Sequence, residues 1–339
     1  MINLVNAKER LHWADAAKGV LIVLMAIGHM NQRAWELGVS SPIIDYFRYG
    51  ELVWSVFFMA TFFILSGFWG KYDMPFKDFI IKNAKTILLP FIAFCFIGGI
   101  LHELFYEILK HTYNEDALIG PSLVVEIGYW FVLSLFVAKC VLWCIFRLTK
   151  NEVVRWALIV LLYFVGVLLL KAKYLPNYVY WKWGVVLMIY LPIGQVLKKY
   201  IHSWGLFFVS LVLFVGVWIA FHHFDLGMPL TTYGMTNLDL VRAAPSLLMC
   251  VTGSFVVLKL CSLIKRARVL EFLGRNTLAI YVMHWWIEIL AIKVMRSFFL
   301  QGVWMSTLAT LICIALAVFV PCMISEIMNR PKVKWIIGK

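Results

Sequence analysis

The sequence predicts an all-α, polytopic membrane bundle of about ten transmembrane helices, and three observations carry that expectation. Of 339 residues, 63% are apolar and 14% are charged, where soluble domains average roughly 45–50% and 25%. Apolar stretches long enough to cross roughly 30 Å of hydrocarbon recur along the whole chain. The basic residues, which give a formal net charge of +13, sit in short clusters between those stretches. A mean hydropathy of +0.87 exceeds what a water-soluble fold can hide. Charge spread along one soluble face would suit nucleic acid, whereas clusters between spans report membrane topology, so no nucleic-acid partner is expected.

In chain order, the stretches fall at approximately 16–34, 52–70, 86–106, 127–147, 153–170, 178–197, 204–222, 243–264, 272–292 and 303–327. At about 1.5 Å per residue, each is long enough for one helix to span. The first is too long for a signal-peptide core and is followed by no small-residue cleavage site, so it reads as a retained span. With the N-terminus in the cytoplasm, 21 of the 31 Lys and Arg residues lie on inner loops and nine on outer loops, and Lys139 falls inside a span. Both termini are therefore expected to be cytoplasmic. Residues 1–339 read as a single transmembrane domain with no separate soluble domain, and the longest outer loop, 222–241, has length only for a small cap. All seven cysteines fall in or beside apolar runs without a Cys-x-x-Cys pair. They read as small buried hydrophobes, and no metal is expected.

An ionised side chain at the bilayer centre costs at least about 2.5–3.5 kcal/mol, so each such group needs a cavity or a partner. Lys18 and His29 lie eleven residues apart on the first span, and eleven steps of 100° return to within about 20° of the starting direction. They share a face with Ile22 and Met25 and are separated by roughly 16 Å along the axis. Lys18 taken alone fits a side chain snorkelling to the interface. Asp15 is placed to pair with Lys18 or to be solvated. On the ninth span, Tyr281 and His284 are followed one turn later by Glu288, and His284 reaches a depth close to that of His29. Two histidines at one depth predict a shared polar cavity or a helix-to-helix hydrogen bond. Lys139 is the deepest cation, with Glu103 and Glu126 as candidate partners. Lys82 and Lys85, near Lys77 and before Pro90, form a basic cluster suited to phosphate or to topology alone.

The ordered set of motifs resembles acyltransferase family 3, from about residue 10 to 325. The set comprises Asp15-x-x-Lys18-Gly19 with Gly28-His29, Phe57-Phe58-Met59, Phe63-Ile64-Leu65-Ser66-Gly67-Phe68, Trp130-Phe131-Val132-Leu133, and Gly274-x-Asn276-x-Leu278-x-Ile280-Tyr281-x-x-His284. The first block looks most like the subgroup of fucose 4-O-acetylase-like proteins. The resemblance implies a ten-helix enzyme of the cell membrane that takes an acyl group, usually acetyl, from cytoplasmic acetyl-CoA. The acceptor it implies is a hydroxyl of a carbohydrate at the outer side, on a surface polysaccharide or lipid-linked glycan. By the same resemblance His29 is the catalytic histidine, Lys18 stands for an arginine of the first helix, and Lys82 and Lys85 stand for an Arg-x-x-Arg pair. Lysine is a point charge and cannot reproduce a bidentate guanidinium contact with phosphate.

The expected chemistry has Lys18, Lys82 and Lys85 holding the phosphates while the pantetheine arm runs toward His29. A neutral imidazole there takes the proton of the attacking hydroxyl, or carries the acyl group itself for one step. His284 is the first candidate to orient His29 or stabilise the oxyanion, ahead of Tyr281 and Glu288. The rival reading is a transporter or flippase for a lipid-linked saccharide, with the polar stripe lining its path.

Overall fold

The computed structural model describes residues 11–110, 130–172, 180–224 and 240–334, and among them all regular structure is helical. The helices are α1 (His12–Glu36), α2 (Pro42–Trp54), α3 (Phe58–Gly67), α4 (Phe76–Asn83), α5 (Leu89–Lys110), α6 (Trp130–Leu148), α7 (Glu152–Lys171), α8 (Trp181–Leu187) and α9 (Tyr190–Tyr200). They continue as α10 (Trp204–His223), α11 (Leu240–Ser262), α12 (Arg268–Arg275), α13 (Thr277–Val294), α14 (Arg296–Phe299) and α15 (Val303–Met328). A π-helical turn, Ala84–Leu88, joins α4 to α5. Glu126, residues 127–129 of the fourth expected span, the side chain of Glu103 and most of the expected outer cap lie outside the described residues.

Among the described residues, eight helices are long and apolar enough to cross a bilayer, or nine if α2 and α3, bent 48° to one another, form one broken span. Many outward-facing residues of α7 and α10, such as Leu161, Leu168, Phe208 and Val212, are large and apolar, as a surface solvated by lipid requires. The protein is a polytopic helical membrane protein. Three of the apolar stretches are not the uninterrupted helices expected. The second breaks at Ser55–Phe57. The sixth breaks at Met188–Ile189, four residues before Pro192; with no proline N–H to receive, the Met188 carbonyl accepts the Leu191 amide at 3.1 Å. In the third, Pro90 cannot donate to Thr86, and the Leu89 amide reaches back five residues to Ala84, the signature of the π turn.

Glycines of the motifs turn out to be points of backbone contact between helices. A Cβ on Gly19 would collide with the backbone of Leu270, and one on Gly274 with the carbonyl of Asp15, so α1 and α12 cross at their backbones. Gly67 and Gly194 do the same for α3 and α9, against Leu191 and Ile64. Small residues at crossings replace the hydrophobic driving force that lipid removes. Asn276, at the junction of α12 and α13, accepts from Ser325 Oγ at 2.6 Å and donates to the Phe272 carbonyl at 3.0 Å, tying that junction to α15.

Outside the bilayer-spanning segments, His12 Nδ1 donates to Glu271 Oε2 at 2.7 Å and latches the start of α1 to α12. That hydrogen bond, with the Ala267 amide, holds the Glu271 carboxyl below the usual glutamate range. A lowered folded value adds stability that is full above about pH 4.3, the ordinary glutamate value, and lost as pH falls through the lowered one. The His12→Ala variant should therefore lose less melting temperature than the parent between about pH 6 and pH 3. Equal acid sensitivity in both would remove this latch from the stability of the fold.

The structure also corrects the tally of loop charges. Arg33, Lys182 and Lys259 are no more than 4% exposed. Lys182 donates to the Ala172 carbonyl at 2.7 Å and Lys259 to the His202 carbonyl at 3.0 Å. They satisfy carbonyls near helix ends where water is scarce, so part of the basic excess is structural. Five of the cysteines are buried as expected, but Cys140 is partly exposed and Cys144 exposed.

Candidate active site

The site is built on two helices that run in the same direction, α1 and α13. On α1 the stripe Lys18, Ile22, Met25 lines a cavity of about 390 Å³, and His29 stands one turn farther along. On α13 the stripe Thr277, Leu278, Tyr281 lines the same cavity, and His284 and Glu288 follow it. The remaining wall comes from Met59, Phe62, Leu65 and Ser66 of α3, Trp69, Thr86 and Ile87 of the π turn, and Phe131, Val132 and Leu135 of α6. It is apolar along its length and polar at the Lys18 and Thr86 end, where the Lys18 side chain is 32% exposed.

The two histidines meet across the helix interface, their ring centroids 5.0 Å apart. His284 is 3% exposed, and its Nδ1 lies 2.9 Å from the Ile280 carbonyl, which can only accept. The proton is therefore on Nδ1, and Nε2 presents a lone pair with no hydrogen-bond partner among the described residues. His29 is only partly buried and has the Gln32 side chain within hydrogen-bonding reach. The Trp285 ring stands edge-on to His29, with centroids 5.3 Å apart.

Beyond the histidines lies a second group of buried polar atoms. The Arg33 guanidinium is stacked 3.2 Å over Trp285 and paired with Glu36. Asn31 donates to Glu51 at 3.0 Å, and Glu51 packs over Gly28, with Oε1 3.2 Å from where a Cβ would stand. Gly28 thus leaves room for a carboxylate beside His29. Glu288 is fully buried, and neither carboxyl oxygen has a hydrogen-bond partner among the described residues; the same holds for Trp285 Nε1. Buried polar atoms without partners are rare in folded proteins, and a cluster of them beside two histidines fits a place where a hydroxyl or water belongs.

A protein-family model described as an acyltransferase domain matches residues 11–326. The chain belongs to acyltransferase family 3. None of the curated proteins and none of the solved structures compared with the chain matches it. It is a membrane acyltransferase, and the residues singled out from its sequence have the following places in it. Lys18 is on the cavity wall and bonded to Asp15 at 3.1 Å. Asp15 itself is 7% exposed and not solvated, because α12 covers it. Tyr281 is on the wall, and its hydroxyl accepts the Phe131 amide at 3.2 Å, which fixes the start of α6. Lys82 precedes the π turn and Lys85 lies within it; both are exposed, and the cavity wall there is made by Thr86 and Ile87. Lys139 is half-buried, one turn from Leu135.

In one respect this acyltransferase differs from the expected path. The wall of the cavity stops at Met25 and Tyr281, a turn short of the histidines, because Met25 fills the α1 side and Tyr281 packs against Phe131 with centroids 5.7 Å apart. Sequence reasoning missed Asn31, Gln32, Arg33, Glu51 and Trp285. Arg33 carried a signal, since it is four residues beyond His29 on the same face of α1. Glu51 and Trp285 carried none, as their roles depend on which helix each one meets.

Proposed function

We propose that this acyltransferase moves an acetyl group from cytoplasmic acetyl-CoA to a hydroxyl of a surface polysaccharide or lipid-linked carbohydrate, as a fucose 4-O-acetylase-like member of its family in the inner or plasma membrane. The observation that carries this reading is the pairing of His29 with His284 one turn beyond an apolar cavity whose other end is basic. An uncharged acyl-pantetheine arm matches such walls, and the phosphates match the lysines at the mouth. Lys18, oriented by Asp15, and Lys82 with Lys85 hold the phosphates. Met25 is unbranched, with three rotatable bonds, and opens the last turn to His29.

The acceptor approaches from the opposite end, where the oxygens of Glu288 and Glu51 orient its hydroxyl. As the hydroxyl oxygen attacks the thioester carbonyl, His29 takes its proton; collapse breaks the carbon–sulfur bond, and the same proton passes to the departing thiolate. His284, locked in one tautomer by the Ile280 carbonyl, keeps its Nε2 lone pair beside the His29 ring as an acceptor for the imidazolium that forms when His29 takes the proton.

Reconstitution in vesicles with labelled acetyl-CoA inside and glycan outside tests the reading. Label should appear on the glycan. The Lys18→Arg variant should keep more transfer than Lys18→Ala, since it retains a cation at the mouth. Movement of saccharide across the bilayer with no acetyl-CoA consumed would replace the proposed transferase activity by transport.

A further inference from the structure

Lys139 has no role in the chemistry above. The stripe of α6 that faces the cavity is Val132 and Leu135, and the next position on it, four residues on, is Lys139. It continues the wall toward the end where Lys18 and Thr86 stand. There α6 packs on the π turn. Lys82, in the last turn of α4, lies four residues before the cavity-lining Thr86, so it approaches the same end of the cavity from the other wall. Among the described residues no ion pair involves Lys82 or Lys139.

Two ammonium groups at one end of the cavity, one exposed and one on a half-buried helix face, repel each other when nothing lies between them. The arrangement is stable when an anion lies between them, and the π turn gives it a cause. By carrying an extra residue per turn ahead of Pro90, the turn changes the angle between Lys82 and the residues that follow.

We infer that Lys82 and Lys139 form one phosphate subsite, spanning the cavity mouth from α4 to α6, that takes a phosphate group of the acyl donor. This assignment rests on the acetyl-CoA reading and extends it. The expected lysine pair lies within one helix, whereas here a second helix supplies the facing cation. Two lysines on different helices can close on a phosphate from opposite sides, which compensates for the forked contact a single arginine makes.

Initial rates with acetyl-CoA and with S-acetylpantetheine, which has the same thioester and no phosphate, test the subsite. Lys139→Gln should raise KM for acetyl-CoA on the order of ten- to a hundredfold and leave kcat unchanged, because a charge-assisted bond made equally before and during reaction is lost. Lys139→Arg should restore most of the affinity. With S-acetylpantetheine, the parent and Lys139→Gln should have the same KM. Without ligand, Lys139→Gln should melt no lower than the parent, since a cation has been removed from the half-buried helix face. An equal KM increase on both donors, or a lower melting temperature without ligand, would overturn the subsite and make Lys139 a structural cation. If the parent consumes neither donor, the acetyl-CoA reading is what fails. The lysine pair is then judged by adenosine 3′,5′-bisphosphate, which must raise the melting temperature of the parent more than that of Lys139→Gln.

Discussion

Alanine at His29 is expected to lower acyl transfer by about 10²- to 10⁴-fold, the usual contribution of a positioned general base. The loss should fall on kcat. The cavity proposed for the donor is bounded on α1 by Lys18, Ile22 and Met25, a turn or more from His29, so KM for the donor should change little. The fold should survive, because His29 is only partly buried and sits outside the packed clusters around Met30 and Ile22. Acid-quenched parent carrying no label on the protein distinguishes proton transfer from an acyl-histidine intermediate. A His29→Ala enzyme that transfers at the parent rate would remove this residue from the reaction.

The largest structural effect is expected at Gly274. Gly274→Ala puts a methyl group inside the contact distance of the Asp15 carbonyl, and backbone sits on both sides of the collision, so no side chain can swing away. Overpacking of this kind costs about 1–3 kcal/mol or more. It also displaces Asp15, which bonds Lys18, so stability and donor affinity should fall together. Gly216 in α10 is the control, for a Cβ there meets nothing within 4 Å. Gly216→Ala should be neutral or slightly stabilising, by up to about 1 kcal/mol. Melting temperatures of the two variants in detergent read the difference, and equal values would mean that α1 and α12 do not cross at their backbones.

The polar stripes were legible because helical periodicity is local. Lys18, Ile22, Met25 and His29 had to share a face once the first stretch was helical, and the same reasoning put His284 and Glu288 one turn apart. That α1 and α13 turn those faces toward each other is not in either stripe. Apolar composition hides it, because a membrane helix is apolar toward lipid and toward its neighbours alike. Trp285 supports Arg33 and His29, while Trp304 is 85% exposed on α15, and nothing in their local sequence separates them.

The interruptions follow the same division. Pro90 and Pro192 were visible as residues, but whether a proline kinks a helix, inserts a π turn or splits a span depends on which neighbour satisfies the freed carbonyl. The charges divide in the same way. Their clustering between apolar runs marked the protein as one that crosses membranes, yet Lys182 and Lys259 proved to be caps on distant carbonyls.

The sequence alone determined that the chain is helical and membrane-spanning, and which residues lie on each polar stripe, since hydropathy and the 3.6-residue period act within a single helix. Only the tertiary structure decided that His29 faces His284 and that Glu51 lies over Gly28. Those pairings come from helix crossings set by a few glycines, where two backbones far apart in the chain approach closely enough to bring chosen side chains together.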